Sequence, residues 1–127
     1  MDSIVLTGPT SYLGTEILKK LILNYNVIGI SRSASQLLSL FKKSPSKGIY
    51  VPLDIDLAQE ESSIIISLIK DKLIELRSKP IGLVNNALTS FPSSALAIDK
   101  QSVQDSAEGI LGLQIRLALE FANLIKD

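Results

Sequence analysis

Apolar positions along this chain follow two alternating rhythms, a short continuous run and then a helical spacing. Residues 3–7 form a run rich in β-branched side chains, which predicts a buried strand, and Gly8 breaks it. Leu13, Ile17, Leu18, Leu21 and Ile22 then recur at helical spacing, with Glu16, Lys19 and Lys20 on the other face. Asn24, Tyr25 and Asn26 close that helix, and residues 27–30 read as a second strand. Ser33 and Gln36 have the spacing of a capping box, so a helix carrying Leu37, Leu38, Leu40 and Phe41 is expected next. Residues 44–48 spell a turn, and residues 49–53 a third strand. Pro52 removes a ladder donor, which puts that strand at or near a sheet edge. Asp56 is placed to cap a further helix, with Glu60 and Glu61 suiting its positive end. The stripe of that helix is Ile64, Ile65, Leu68, Ile69, Leu73 and Leu76, and Pro80 stops it. Residues 81–84 predict a fourth strand. A polar loop over residues 85–102 leads to a last helix holding Ile110, Leu113, Leu117, Phe121, Leu124 and Ile125.

The order βαβαβαβα implies one α/β domain over residues 1–127, with a parallel sheet and right-handed crossovers. The natural architecture is a Rossmann-type, doubly wound sheet of strand order 3-2-1-4 with flanking helices. Composition narrows the chemistry. An apolar share of 46% in 127 residues supports a real core. Lys plus Arg and Asp plus Glu balance at 13 each, which argues against whole-chain attraction to nucleic acid. Cysteine and histidine are absent, so thiolate chemistry, disulfides, common zinc sites and imidazole base catalysis are excluded. No apolar run reaches the roughly 18 residues of a membrane span, and the start lacks a signal-peptide pattern, so a cytoplasmic location without membrane partners is expected.

Ligands on such sheets bind beyond the carboxyl ends of the strands, where the strand order reverses. The loop there reads Thr7-Gly8-Pro9-Thr10-Ser11-Tyr12-Leu13-Gly14. Gly8 can turn sharply out of the strand, and Gly14 can bring helix and sheet close. The helix start offers free N–H groups to a pyrophosphate, and Thr10 and Ser11 add hydroxyls. A plain strand-to-helix turn would use the same glycines. A Walker-type loop is excluded, because Thr15 follows Gly14 where a lysine is needed.

This segment resembles the TGxxxGxG loop of the classical short-chain dehydrogenases/reductases, with Tyr12 at the middle glycine. It is also similar to the TGxxGxxG loop of the extended branch, with Ser11 at the middle glycine. Three later positions fit the same family. Arg32, in Ser31-Arg32-Ser33, stands after the second strand, where an acid would suit a ribose hydroxyl and an arginine suits a 2′-phosphate. It therefore favours NADP(H) over NAD(H), although a solvated arginine at a helix start would look the same. Asp54 and Ile55 follow the third strand, where the resemblance implies contact with adenine. Asp54 and Asp56 could equally be turn and capping residues. Asn85-Asn86-Ala87-Leu88 resembles the family's NNAG turn after the fourth strand, which implies that Asn85 and Ala87 flank the cofactor ribose.

The resemblance runs from Ile4 to Lys126 and matches the first half of a family member. It implies an NAD(P)(H)-binding part of a short-chain oxidoreductase, with phosphate on Gly8, Thr10, Ser11, Tyr12, Leu13 and Gly14. The family's chemistry needs a tyrosine with a lysine four residues on. Tyr12 leads to Glu16, Tyr25 to Gly29 and Tyr50 to Asp54, so no catalytic residue can be assigned. The family's helix asparagine would fall at Gly109, while Gly112 fits its pattern. A non-catalytic binding module and one half of a split enzyme are the alternatives. The fourth strand would be an open edge, and Leu111, Ile115 and Leu119 lie off the last helix's main stripe. These predict a second copy or a C-terminal partner segment over that edge and helix.

Overall fold

The computed structural model describes residues 1–42, 47–87 and 100–126, with side chains in the last stretch described at 112 and from 114 onward. Its strands are β1 (Ser3–Thr7), β2 (Asn26–Ser31), β3 (Tyr50–Asp54) and β4 (Pro80–Asn85). They form one sheet in the order β3-β2-β1-β4, every pair parallel. The helices are α1 (Tyr12–Leu21), α2 (Ser62–Leu76) and α3 (Lys100–Lys126). This is the doubly wound α/β arrangement expected from the alternation.

The strands read as continuous apolar runs because both sheet faces are covered. Successive residues point to opposite faces, so neighbours in one strand join different cores. Leu6 and Val27 pack with Leu18, Ile22 and Tyr50 under α1. Val5 and Ile28 pack with Ile65, Ile69, Leu73, Leu117 and Phe121 under α2 and α3. Each fully buried Leu or Ile contributes on the order of 1.5–3 kcal/mol. Ser62 adds a polar tie between α2 and α3, its Oγ donating to Glu120 Oε1 at 2.7 Å. Pro52 lies in β3, an edge strand, as its missing donor requires.

Several local expectations need correction. The segment after β2 is a 3₁₀ helix, Ala34–Leu40, and not an α-helix. Ser33 makes no side-chain cap bond, so no capping box forms, and the Gln36 N–H meets the Ser33 carbonyl instead. Only Leu37 and Phe41 pack inward, while Leu38 and Leu40 stay exposed. Asp56 accepts the Ala58 N–H and caps a separate turn, while α2 starts after Glu61 without a side-chain cap. The α2 stripe is narrower than the spacing suggested. Ile65, Ile69 and Leu73 are buried, but Ile64 and Leu68 are exposed.

Pro80 does not stop α2, since it is the first residue of β4. The helix ends earlier, at Arg77 in the left-handed region (φ 50°), where the Ser78 N–H reaches back to the Leu73 carbonyl. Asn26 belongs to β2 and does not close α1. Leu13 and Ile125 are exposed, outside the cores. Leu117 and Phe121 of α3 are buried, whereas Ile115 and Leu119 face outward. Most of the expected 44–48 turn, and Leu88 with most of the polar loop, lie outside the described residues. So do the side chains of Ile110, Leu111 and Leu113.

Candidate functional site

β1 and β4 end side by side, and their following loops are tied together. Gly8 leaves β1 with φ +67°, a conformation that side chains other than glycine's rarely allow. Its N–H still bonds the Ile30 carbonyl, at 3.0 Å, so the turn hangs from the sheet. Gly14 then sits against that turn. A Cβ on Gly14 would stand 1.9 Å from the Gly8 carbonyl oxygen, so only glycine lets α1 start this close.

Ser11 is the N-cap of α1. Its Oγ accepts the Gly14 N–H at 3.0 Å and Asn86 Nδ2 at 3.0 Å, and donates to the Gly8 carbonyl at 3.1 Å. A hydroxyl has one proton and two lone pairs, and here all are engaged. Ser11 therefore shapes the loop, and its hydroxyl is not a spare donor for a ligand. Thr7 performs the matching task on the sheet side. Its buried Oγ1 accepts the N–H groups of Asn86 at 2.9 Å and Ala87 at 3.0 Å. Asn86 Nδ2 also donates to the Gly8 carbonyl, at 3.1 Å. Thr7 and Asn86 thus lock the two loops into one rim.

That rim leaves donors free. The N–H groups of Thr10, Tyr12 and Leu13 meet no acceptor among the described residues. Those of Tyr12 and Leu13 open the first turn of α1, where the helix dipole favours an anion. Tyr12 is 88% exposed, so this residue is accommodated without displacing the loop. Thr10 Oγ1 donates to Ser31 Oγ at 3.3 Å, bringing the loop beside the end of β2. Arg32, the next residue, is exposed and forms no ion pair among the described residues.

Asp54 ends β3. Its carboxylate accepts the Ser35 N–H at 2.8 Å and the Ser35 hydroxyl at 2.5 Å, which hold its pKa below the ordinary carboxylate value. Asp56 faces its own turn, so the two acids do not form a pair. Ile55 continues from β3, its N–H on the Ser31 carbonyl at 3.0 Å. Asn85 is exposed, with Nδ2 3.4 Å from the Gln114 carbonyl of α3, and Ala87 packs against Gly8.

The residues singled out from sequence thus lie at the carboxyl ends of four adjacent strands. Four others were missed. Thr7 was readable as the polar end of an apolar strand, and Asn86 as the middle of Asn-Asn-Ala. Ser31 and Ser35 carried no sequence signal, because their partners are distant in the chain.

No family model and no curated protein matches the chain. Solved structures do. The carbonyl reductase Sniffer of D. melanogaster is 25% identical, with a TM-score of 0.72 over 99% of this chain and 52% of that one. The KRED1-Pglu enzyme is 22% identical, with a TM-score of 0.73 over 98% of this chain and 52% of that one. This chain carries the front half of the short-chain dehydrogenase/reductase fold. It spans about half the length of the solved structures it matches. Two further structures with this fold hold dinucleotides. A 4-hydroxyisoleucine dehydrogenase is complexed with NADH and succinate (18% identity, TM-score 0.61, 94% of this chain and 50% of that one). An ElxO variant has NADPH bound (17% identity, TM-score 0.65, 94% and 50%). Among the described residues, no helix of this half-fold is long and apolar enough to cross a membrane.

Proposed function

We propose that this chain is the nicotinamide-dinucleotide-binding part of a short-chain oxidoreductase, and that it prefers NADP(H) to NAD(H). The observation that carries the reading is the set of unpartnered N–H groups at Thr10, Tyr12 and Leu13, held open by Gly8, Gly14 and Ser11. Such a cradle fits a pyrophosphate. Arg32 would take the 2′-phosphate, since it is exposed, unpaired among the described residues and beside the Thr10–Ser31 contact. No acid stands at that strand end to favour a bare ribose. Asp54 and Ile55 would border the adenine, and Asn85 and Ala87 the ribose.

A bound dinucleotide would supply hydride chemistry. This chain's residues would bind and orient it, but no Tyr-x-x-x-Lys is present to move the proton. The acid/base pair therefore has to come from another segment, either a continuation of the same protein or the other half of a split enzyme. The outer edge of β4 is unpaired among the described residues, and Ile81, Ile115 and Leu119 are exposed around it. A second copy or a C-terminal segment would cover them. Light scattering should then show self-association, and a stable dilute monomer would oppose the copy.

Calorimetric titration tests the binding. NADPH should bind more tightly than NADH, and Arg32→Ala should weaken NADPH roughly 10- to 100-fold while leaving NADH nearly unchanged. Failure of both dinucleotides to bind would refute the reading for this chain.

A further inference from the structure

A second concave feature lies at the opposite end of the sheet. It opens between the end of α1 and the end of the 3₁₀ helix, just ahead of β2 and β3. The groove has a volume of about 290 Å³, and Gly48 lies in its wall. Ile22, Leu40 and Phe41 give it an apolar lining, and Lys19, Lys42 and Lys47 stand around it. Its size falls just below the usual range of small-ligand pockets, about 300–1,000 Å³, which suits a small molecule.

The charged side chains that line it are all basic, and charge is segregated along the chain. Residues 17–53 contain six basic side chains, Lys19, Lys20, Arg32, Lys42, Lys43 and Lys47, and no acidic one. Residues 54–75 contain six acids and only Lys70 and Lys72. The whole protein is neutral, so this is segregation and not excess. Lys19 is paired to Glu16 at 3.0 Å, but Lys42 and Lys47 form no ion pair among the described residues. Nearby Leu23 and Leu40 keep 45% and 64% of their surface exposed. A half-apolar hollow with ammonium groups at its edge matches an anion carrying a short apolar tail. A bare anion would leave the hollow wet, and a neutral alkane would leave the ammonium groups without a partner.

We propose that this groove binds a small amphiphilic monoanion, such as a medium-chain carboxylate, with its tail on Ile22, Leu40 and Phe41 and its head between Lys42 and Lys47. A concave site of this size favours a free molecule over a flat membrane. The groove lies at the far end of the sheet from the dinucleotide cradle, so neither proposal depends on the other.

The test is titration of the ¹⁵N-labelled full chain with octanoate, octylammonium and acetate, read by amide chemical shifts. Octanoate should give saturable shifts at Leu23, Gly48 and their neighbours, and octylammonium and acetate should give none. The double variant Lys42→Glu/Lys47→Glu should weaken octanoate about tenfold or more, as should the milder Lys42→Gln/Lys47→Gln pair, whereas Lys70→Glu should leave it unchanged. Absence of saturable shifts, equal binding of octylammonium, or equal loss in Lys70→Glu would overturn the proposal. So would shifts centred on α3, or lysine-dependent sedimentation with phosphatidylserine vesicles without octanoate binding, which would mark a membrane surface instead.

Discussion

The two ends of the sheet are both closed by polar side chains, and they differ in what is left over. At the amino end, Ser3, Asn26 and Ser78 form a network sealed on itself. Ser3 Oγ meets Ser78 Oγ at 2.5 Å, Ser78 Oγ donates to the Met1 carbonyl at 2.7 Å, and Asn26 Oδ1 accepts the Ile49 N–H at 2.9 Å. Asn26 Nδ2 spans Ser78 Oγ and the Met1 carbonyl. At the carboxyl end, Thr7, Ser11 and Asn86 are as tightly bonded, yet they shape a loop with three N–H groups unpartnered among the described residues. Buried polar groups therefore do not mark a site by themselves, since satisfied networks also hold a fold together. The unmet donors beside the network make the difference.

The strongest way to break the carboxyl end is Gly14→Ala. The new Cβ would fall on the Gly8 carbonyl oxygen, so α1 or the loop must move. We expect a loss of about 3 kcal/mol in urea unfolding, or failure to fold, which exceeds ordinary helix-propensity effects. Near-native stability would show that the close approach of α1 to the loop is not required.

A paired experiment separates the two ends more finely. Asn86→Ala and Asn26→Ala each delete an amide that bonds backbone, and each should cost on the order of 1–3 kcal/mol. Their effects on ligand binding should diverge. Asn86→Ala should weaken dinucleotide binding, because it releases Gly8 and Ser11, whereas Asn26→Ala should leave it unchanged below the melting transition. Equal effects on binding would erase the distinction between the two networks.

The amino end can also be strengthened. Arg77 holds a left-handed conformation next to Ser78, which costs a non-glycine residue on the order of 1 kcal/mol. Arg77→Gly should recover about 0.5–1 kcal/mol in chemical denaturation without altering dinucleotide affinity.

The same contrast explains what could be read from sequence. Strand order, the edge position of Pro52 and the α1 cradle follow from alternation and glycine placement, which are local signals. Leu38, Ile64 and Leu68 were misplaced because helical spacing counts apolar residues but does not say which face meets the sheet. The ends of elements were hardest. Asp56 and Ser33 have capping chemistry but cap no α-helix, while Ser11, assigned as a ligand donor, is the true cap. The Thr7–Asn86 and Asp54–Ser35 pairs join residues distant in sequence, and only the fold brings them together. Thr7 and Asn86 still left a residue-type hint at their strand ends, which Ser35 did not.

The Asp54–Ser35 pair gives the smallest effect and the sharpest sign. Two hydrogen bonds from Ser35 favour the ionised carboxylate, so the pKa of Asp54 in the folded chain lies below its ordinary 3.8. A group with a depressed folded pKa stabilises the fold at pH values above its unfolded pKa, and that contribution is lost as pH falls through the folded one. The change is therefore confined to acid, and near neutrality Asp54 stays charged. Ser35→Ala should raise the Asp54 pKa toward 3.8 in a carboxyl NMR titration and flatten the acid limb of stability, its small loss being full at pH 7 and vanishing in acid. Because Asp54 borders the proposed adenine position, the same variant should leave NADPH and NADH affinities in their original ratio. A shifted ratio would mean that Asp54 helps Arg32 choose the cofactor, and would move the seat of specificity from the end of β2 to the space between β2 and β3.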